Sequence, residues 1–348
     1  MDLMGFVETK NLHKHFGEVH AVDGVDLSIR EGELVVLLGP SGCGKTTLMR
    51  MIAGLETPTS GRIFIGGEEV DEDIPPRARG VAMVFQSYAL YPHKTAFENI
   101  AFPLEAVRMA PGAVRGRVQG AAKRFGIGQL LGRRPRQLSG GERQRVALSR
   151  AVVRDPKVFL FDEPLSNLDA QLRAIARYEL KELQRELGTT TVYVTHDQVE
   201  AMGLGDRIAV MNKGKVRQIG TPQYVYDYPA DTFVATFLGS PPMNLLQQDG
   251  DTILGFRPEN FYPREVCAPG DDVITFRLRV RQVEHLGATR LIYGAPEREH
   301  RLQTLIADLP TQITTPIAEG ELHEFAVPRR ALRVFDAHSG LARPHDAA

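Results

Sequence analysis

The sequence predicts an α/β domain with an inserted helical subdomain, followed by a small all-β barrel. Three observations lead there. Short apolar runs alternate with helical patterns in the first part of the chain, the pattern of a parallel sheet covered by helices. A stretch rich in Gly, Pro and Arg, with helical periodicity, interrupts them between Gln86 and Pro156. After Gly239, strand-like runs recur with turn signals between them.

Taken in order, residues 33–38 (ELVVLL) read as a buried strand, 39–44 as a Gly-rich loop and 45–55 as a helix. Residues 81–85, 158–161 and 191–195 are further buried strands, and helical periodicity in the insertion covers 121–125 and 142–153. Residues 207–219 form a hairpin that turns at Asn212-Lys213-Gly214-Lys215. The later strands are 252–256, 273–283, 290–293, 302–306, 324–327 and 332–335. Ser240-Pro241-Pro242 marks the junction, so the expected domains are 1–238, with the helical subdomain at about 87–156, and 239–348. The tail from Leu341 reads as disordered. There is no internal repeat and no low-complexity tract.

Composition narrows the function. A chain of 348 residues exceeds one ordinary compact core. Apolar residues make up 43% and charged residues 24%, the balance of a soluble globular protein. Lys plus Arg number 42 against 43 Asp plus Glu, so no global charge would draw nucleic acid. No stretch approaches the roughly 18 consecutive apolar residues that span a bilayer. Residues 1–10 lack the basic-then-apolar pattern of a secretory signal. Two cysteines, Cys43 and Cys267, exclude a disulfide framework and fit a reducing cytosol. If the chain acts in membrane transport, another chain must supply the membrane part.

Gly39-Pro40-Ser41-Gly42-Cys43-Gly44-Lys45-Thr46 fits the phosphate-loop pattern G-x-x-x-x-G-K-[ST] and lies between a strand and a helix. Phosphates need many donors that carry no bulk. Glycines let backbone amides point inward, and the helix N-terminus adds positive potential. In that geometry Lys45 bridges the β- and γ-phosphates, the Thr46 hydroxyl coordinates Mg²⁺ and Thr47 reaches the α-phosphate. The bland alternative is an ordinary strand–turn–helix glycine loop. Asp162 follows the apolar run 158–161, and a carboxylate at the C-terminal tip of a central strand is placed to hold Mg²⁺ through water. Glu163 comes next and can polarise an attacking water as general base. A solvated strand end is the alternative for this pair. Cys43 lies against the helix N-terminus, whose potential favours its thiolate if it is exposed.

Leu138-Ser139-Gly140-Gly141-Glu142-Arg143-Gln144 resembles the signature motif of ABC transporter ATP-binding subunits, and it precedes the Asp162-Glu163 strand as in that family. The resemblance implies a P-loop ATPase domain that uses ATP and Mg²⁺ and works as a homodimer. In it, Ser139 and the amides of Gly140 and Gly141 bind the γ-phosphate held by the other subunit. A capping Ser before a helix is the plainer reading, and Ser139 serves both. Gln86 matches the glutamine that senses Mg²⁺ and the γ-phosphate. Ser166-Asn167-Leu168-Asp169 matches the loop that crosses the dimer interface. His196 matches the histidine that contacts the γ-phosphate, and Phe16 the aromatic that stacks on adenine. Thr46 stands where Ser is commoner, with the same hydroxyl.

The resemblance narrows further. Residues 87–93 (SYALYPH), 195–202 (THDQVEAM) and 239–244 (GSPPMN) are similar to the bacterial carbohydrate-uptake importers, typified by the maltose- and glycerol-3-phosphate-importer ATPases. Residues 255–259 (GFRPE) resemble the start of that family's C-terminal regulatory barrel, an OB-like, TOBE-type domain. The implied partners are two transmembrane permease subunits and, through them, an extracytoplasmic solute-binding protein, with no nucleic acid. The implied location is peripheral, at the cytoplasmic face of the bacterial inner (plasma) membrane. Two alternatives differ in class. An importer ATPase for polyamine, sulfate or iron would share the motor, and the 87–93 and 239–244 segments favour a sugar, polyol or sugar phosphate over it. A soluble ABC ATPase acting on DNA or ribosomes usually carries a long coiled-coil insertion or two cassettes. This chain has one P-loop and no heptad run.

Overall fold

Leu34-Val35-Val36-Leu37-Leu38 is apolar at every position, so neither face suits water and the strand must lie in a sheet covered on both sides. All five residues are buried. The computed structural model describes residues 5–247, 250–297 and 304–344. It divides into two compact units, residues 1–222 and 223–348.

The first unit opens with β1 (Val7–Phe16), β2 (Val19–Ile29) and β3 (Leu34–Leu38), then α1 (Lys45–Ala53), β4 (Ser60–Ile65), β5 (Glu68–Glu69) and β6 (Val81–Val84). The helices α2 (Ala96–Ala106), α3 (Pro111–Arg124) and α4 (Gly140–Val152) form the insertion. The chain then runs β7 (Val158–Asp162), α5 (Ala170–Leu187), β8 (Thr190–Thr195), α6 (Gln198–Leu204) and the hairpin β9 (Arg207–Asn212) and β10 (Lys215–Gly220). The main sheet has the order β10-β9-β3-β8-β7-β6. β3, β6, β7, β8 and β9 pair in parallel, and β10 is the antiparallel edge.

The expected parallel sheet is therefore present, but the first 30 residues hold more than their pattern discloses. They open a second, antiparallel sheet with order β2-β1-β4-β5, which residues 60–69 complete. Its alternation is blurred by register shifts between Thr9 and Leu12, Leu12 and Lys14, and Lys14 and His15. Val7, Val25 and Ile29 of this sheet share one core with Val35, Leu37, Leu48 and Val192. The insertion has its own core, including Ile100, Leu104, Val118 and Val146. A capping box at Thr95 and Glu98 starts α2.

The second unit contains α7 (Pro222–Asp227) and α8 (Thr232–Phe237), followed by strands with short 3-10 turns between them: β11 (Asn244–Gln247), β12 (Thr252–Phe256), β13 (Tyr262–Pro263), β14 (Val273–His285), β15 (Thr289–Pro296), β16 (Leu305–Pro310), β17 (Leu322–Pro328) and β18 (Arg333–Asp336). They form a three-stranded sheet, β11-β12-β18, and a five-stranded one, β13-β17-β14-β15-β16. The core is aromatic: Phe261 packs 5.1 Å from Phe256 and 4.9 Å from Phe325, centroid to centroid. Residues 302–303 of one expected strand lie outside the described residues. Residues 341–344, expected to be disordered, are paired: Leu341 bridges Asp231, Ala342 bridges Phe335, and the Arg343 amide donates to Val334 O. Among the described residues no helix is long and apolar enough to cross a membrane.

One buried cation ties residues 226–238 to the end of β12. Arg257 is 3% exposed. Its guanidinium donates to Ala235 O (3.0 Å), Leu238 O and Tyr226 O (2.6 Å), and stacks 3.8 Å above the Tyr226 ring. Tyr226 in turn donates to Glu259 Oε1 at 2.8 Å. Replacing Arg257 by Ala strands three carbonyls, and leaving buried acceptors unmade costs on the order of 1–3 kcal/mol each. Arg257→Ala is therefore expected to destabilise the second unit by about 3 kcal/mol or more. Denaturant unfolding of the full chain checks this, and an unchanged midpoint would count against the clamp.

Candidate active site

Parallel pairing aligns strand ends, so every residue that follows β3, β8, β7 or β6 emerges at one edge of the sheet. The phosphate-loop candidate leaves β3. Gly42 and Gly44 have φ of 77° and 105°, in the left-handed region. Gly44 also passes so close to β2 that a Cβ there would lie 2.1 Å from Ala21 O. Gly39 faces Met211 O at 2.3 Å in the same sense. The loop thus rests on β2 on one side and β9 on the other. Lys45 is 5% exposed, and its ammonium donates to Gly39 O (2.8 Å) and Pro40 O (2.9 Å). Ser41 and Gly42 are exposed, while Thr46 and Thr47 are half-buried.

Cys43 corrects an expectation. It is buried, and loss of hydration pushes its thiol up despite Lys45 Nζ at 3.8 Å. The helix N-terminus does not make it a ready thiolate.

Asp162 ends β7, and its Oδ1 accepts from the Thr46 hydroxyl at 3.0 Å. The two expected metal-binding groups are therefore in contact. Burial pushes the Asp162 carboxyl up, opposed by the Thr46 hydrogen bond, and the neighbouring Glu163 pushes it up further. A carboxylate paying that desolvation penalty beside a hydroxyl suits a hard cation, so the donor set fits Mg²⁺. Glu163 follows with φ 45°, a strained setting for a residue with a Cβ. Two anchors hold it: its amide donates to Val194 O (3.0 Å), and its carbonyl accepts from the Ser166 hydroxyl (2.9 Å). The strain aims the carboxylate out of the strand. There His196 Nδ1 lies 3.0 Å from Oε1, and the Gln86 amide donates to Oε2 at 3.3 Å. The three expected catalytic residues thus meet at one carboxylate.

Other candidates stand apart from this cluster. Ser139 caps α4, accepting from the Glu142 amide at 3.3 Å, while its own amide donates to Glu142 Oε2 at 2.7 Å. Gly140 lies against Leu168 and Asn167. Asp169 caps α5 through the Leu172 amide at 2.9 Å. Phe16 is 50% exposed at the end of β1, with Lys14 Nζ 4.9 Å from its ring centre, so one ring face is open to stacking.

Comparison with known proteins decides the family. A family model described as "ABC transporter" matches residues 22–166. The trehalose/maltose import ATP-binding protein MalK of Thermococcus litoralis is 50% identical over 329 residues, covering 83% of this chain and 88% of the relative. The chain belongs to the ABC transporter family. The sn-glycerol-3-phosphate import ATP-binding protein UgpC of Rhodopseudomonas palustris is 46% identical over 357 residues, covering 96% of this chain and 98% of the relative. Among solved structures, a dimeric post-hydrolysis state of the ATP-binding cassette MJ0796 bound to ADP and Pi is 35% identical, with TM-score 0.56, covering 62% of this chain and 98% of that one. CbiO1 of Clostridium perfringens, part of the ABC transporter complex CbiONQ, is 30% identical with TM-score 0.60, covering 65% of this chain and 92% of that one.

Beneath the ABC motifs the structure adds residues that the sequence pattern does not reveal. Glu200 on α6 is 3% exposed, and its Oε2 accepts from Tyr193 (2.8 Å) and Thr195 (2.9 Å). The Thr195 hydroxyl also accepts from the Asp197 amide at 2.9 Å. This chain of bonds brackets His196 on both sides. Burial pushes the Glu200 carboxyl up, while both hydroxyl donors pull it down. Glu200→Ala strands two buried hydroxyls. It is expected to cost about 2–4 kcal/mol and to lower turnover with it. His196, whose side chain is 55% exposed, gives the contrast. His196→Ala should lower turnover with stability changed by less than about 0.5 kcal/mol. Equal unfolding midpoints for the two variants would dismiss the bracket.

Proposed function

We propose that this chain is the ATP-binding and ATP-hydrolysing subunit of an importer that powers uptake of a carbohydrate, polyol or sugar-phosphate-like solute through separate membrane subunits. The observation that carries this reading is the extent of the match: relatives named for sugar and glycerol-phosphate import align across both units. The first unit and the segment up to residue 238 act as the nucleotide-binding domain. The β-rich remainder is a regulatory barrel of the OB-like, TOBE type. Two copies work together with two permease subunits at the cytoplasmic face of the membrane, and a solute-binding protein acts through those. The dimeric MJ0796 cassette supports the pairing.

The site chemistry follows from the geometry. Residues 39–47 cradle the phosphates, with Lys45 exchanging its carbonyl partners for phosphate oxygens. Thr46 and Asp162, with Gln86 nearby, would hold Mg²⁺, which supplies charge neutralisation at the phosphates. Glu163 takes the proton of the attacking water, held in orientation by His196 and Gln86. Phe16 stacks on the base. Ser139, Gly140 and Gly141 of a second copy close the far side of the γ-phosphate, as a helix N-terminus whose capping hydroxyl can still donate its proton can. Asp169 stands where the two copies cross.

Glu163→Gln should leave ATP binding nearly intact and lower turnover by ~10²-fold or more, trapping an ATP-bound dimer. Near-normal hydrolysis would remove Glu163 from the base role. A mixing experiment tests the shared site. A dimer of one Lys45→Ala chain and one Ser139→Arg chain has one composite site with both defects and one with neither. ATP binding measured by calorimetry should recover in the mixed dimer relative to either parent. Mixed dimers that bind no better than the parents would refute the cross-subunit arrangement.

A further inference from the structure

A second cluster of ligating side chains lies on the antiparallel sheet, outside the residues assigned to ATP. We propose that His13, His15 and Asp23 form a binding site for a transition-metal ion of the Zn²⁺ class. His13 and His15 are two apart on β1, and a period of two puts both on one face of the strand. Asp23 comes from the paired strand β2. One ligand atom from each lies within 4.8 Å of the others, and this is the only such group among the described residues.

The hydrogen bonds show which atom of each side chain faces the others. His13 Nδ1 accepts from the Gly24 amide at 3.1 Å, so it carries no proton in the neutral ring. His13 Nε2 then carries the proton and donates to Asn11 Oδ1 at 3.1 Å. Nδ1 also lies 3.4 Å from Asp23 Oδ1, so an ion that takes its lone pair displaces the Gly24 amide. Two acceptors at that distance repel unless a cation stands between them. Ligand atoms around a tetrahedral ion with bonds of about 2.0–2.1 Å lie about 3.3 Å apart, close to the spacing already present. The third ligand is also waiting: His15 Nε2 is buried with no hydrogen-bond partner. Asn11 has the role of an outer partner that fixes tautomer and ring orientation. His20 stacks on His15 at 4.0 Å and holds its ring plane. Imidazoles with one carboxylate suit zinc and its neighbours rather than Mg²⁺ or Ca²⁺.

One charged group opposes the ion. Lys215 Nζ lies 3.2 Å from Asp23 Oδ2, the oxygen turned away from His13, and its side chain is 58% exposed. It can swing into water when a metal takes the other oxygen. The site also touches the phosphate loop through backbone: the Asp23 amide donates to Gly214 O (2.9 Å), and the Gly214 amide to Cys43 O (3.0 Å). A bound ion would brace the strand against which Gly44 packs.

The test uses the metal-free full chain without nucleotide, titrated with Co²⁺ and then Zn²⁺ in excess Mg²⁺, so that oxygen-rich sites are already filled. One equivalent of Co²⁺ should give the strong visible absorption of a low-coordinate nitrogen–oxygen site, displaced by Zn²⁺. His13→Gln and His15→Gln should each weaken binding at least ~10-fold, and Lys215→Gln should tighten it. Asn11→Gly, at an exposed position whose φ of 45° suits glycine, leaves all ligands in place and should weaken it as well, which guards against a misfolded ligand variant. Absence of Co²⁺ and Zn²⁺ binding in the wild-type chain would overturn the proposal, leaving a shared proton as the bridge. Binding indifferent to the His13, His15 and Asn11 changes would overturn it too, since the ion would then sit elsewhere.

Discussion

β3, β8, β7 and β6 run parallel in adjacent positions, with Leu38 opposite Thr195 and Phe161 opposite Tyr193. Parallel pairing fixes which ends coincide, and the register fixes how far each strand reaches. The phosphate loop, His196, Glu163 and Gln86 each lie within the first few residues beyond one of these strands, and Asp162 is the last residue of β7. None of them needs a long loop to find the others. The meeting of His196 and Gln86 at the Glu163 carboxylate, and of Thr46 with Asp162, is a property of the sheet, and the sheet is held by strands whose side chains are buried on both faces.

That economy has a local cost. Glu163 turns at φ 45°, a conformation that disfavours any residue with a Cβ by about 1–3 kcal/mol. The neighbouring strand offsets it, since Val194 O receives the Glu163 amide. Gly44 solves a related problem differently. There the obstacle is the Ala21 carbonyl of β2, and only a residue without a Cβ can pass it. One position tolerates strain because the adjoining strand and the Ser166 hydroxyl anchor its backbone. The other dispenses with a side chain because its backbone must lie close to another strand.

These differences explain what the sequence disclosed. The phosphate loop, the carboxylate pair and the ABC motif are contiguous, so their local pattern is readable, and the continuous apolar runs of β3, β7 and β8 mark buried strands. β1 is not legible in the sequence because its bulges break the alternation and place Lys10 and Asn11 consecutively at exposed positions. Glu200 was unreadable for another reason. Its partners Tyr193 and Thr195 lie on a strand that reads as merely buried, and a carboxylate in a helix reads as surface until the helix folds back. Arg257 belonged to a recognised segment, GFRPE, yet nothing in the string says that its guanidinium reaches back to residues 226–238. The closing residues 341–344 look like a polar tail, and they are ordered only because β18 and Asp231 give their backbone partners.

The insertion adds a constraint of its own. Gln86 is held at three points. Its side chain reaches Glu163, its carbonyl accepts from Asn167 Nδ2 at 2.6 Å, and the loop just beyond it is fixed by Arg150. Arg150 donates to Tyr88 O and Ala89 O, both at 2.7 Å, at two residues that themselves have positive φ. Arg150 lies in the last turn of α4, the same helix that begins at the Ser139 cap. A helix therefore joins the Ser139 segment at one end to the glutamine loop at the other, and the glutamine touches the Glu163 carboxylate. Displacing Ser139 without moving Gln86 would require bending α4 or breaking two charge-assisted hydrogen bonds, each stronger than a neutral pair. The less costly motion carries the helix and the loop together. Any second surface that closes on Ser139 thus acts on the Gln86–Glu163 contact through backbone and guanidinium.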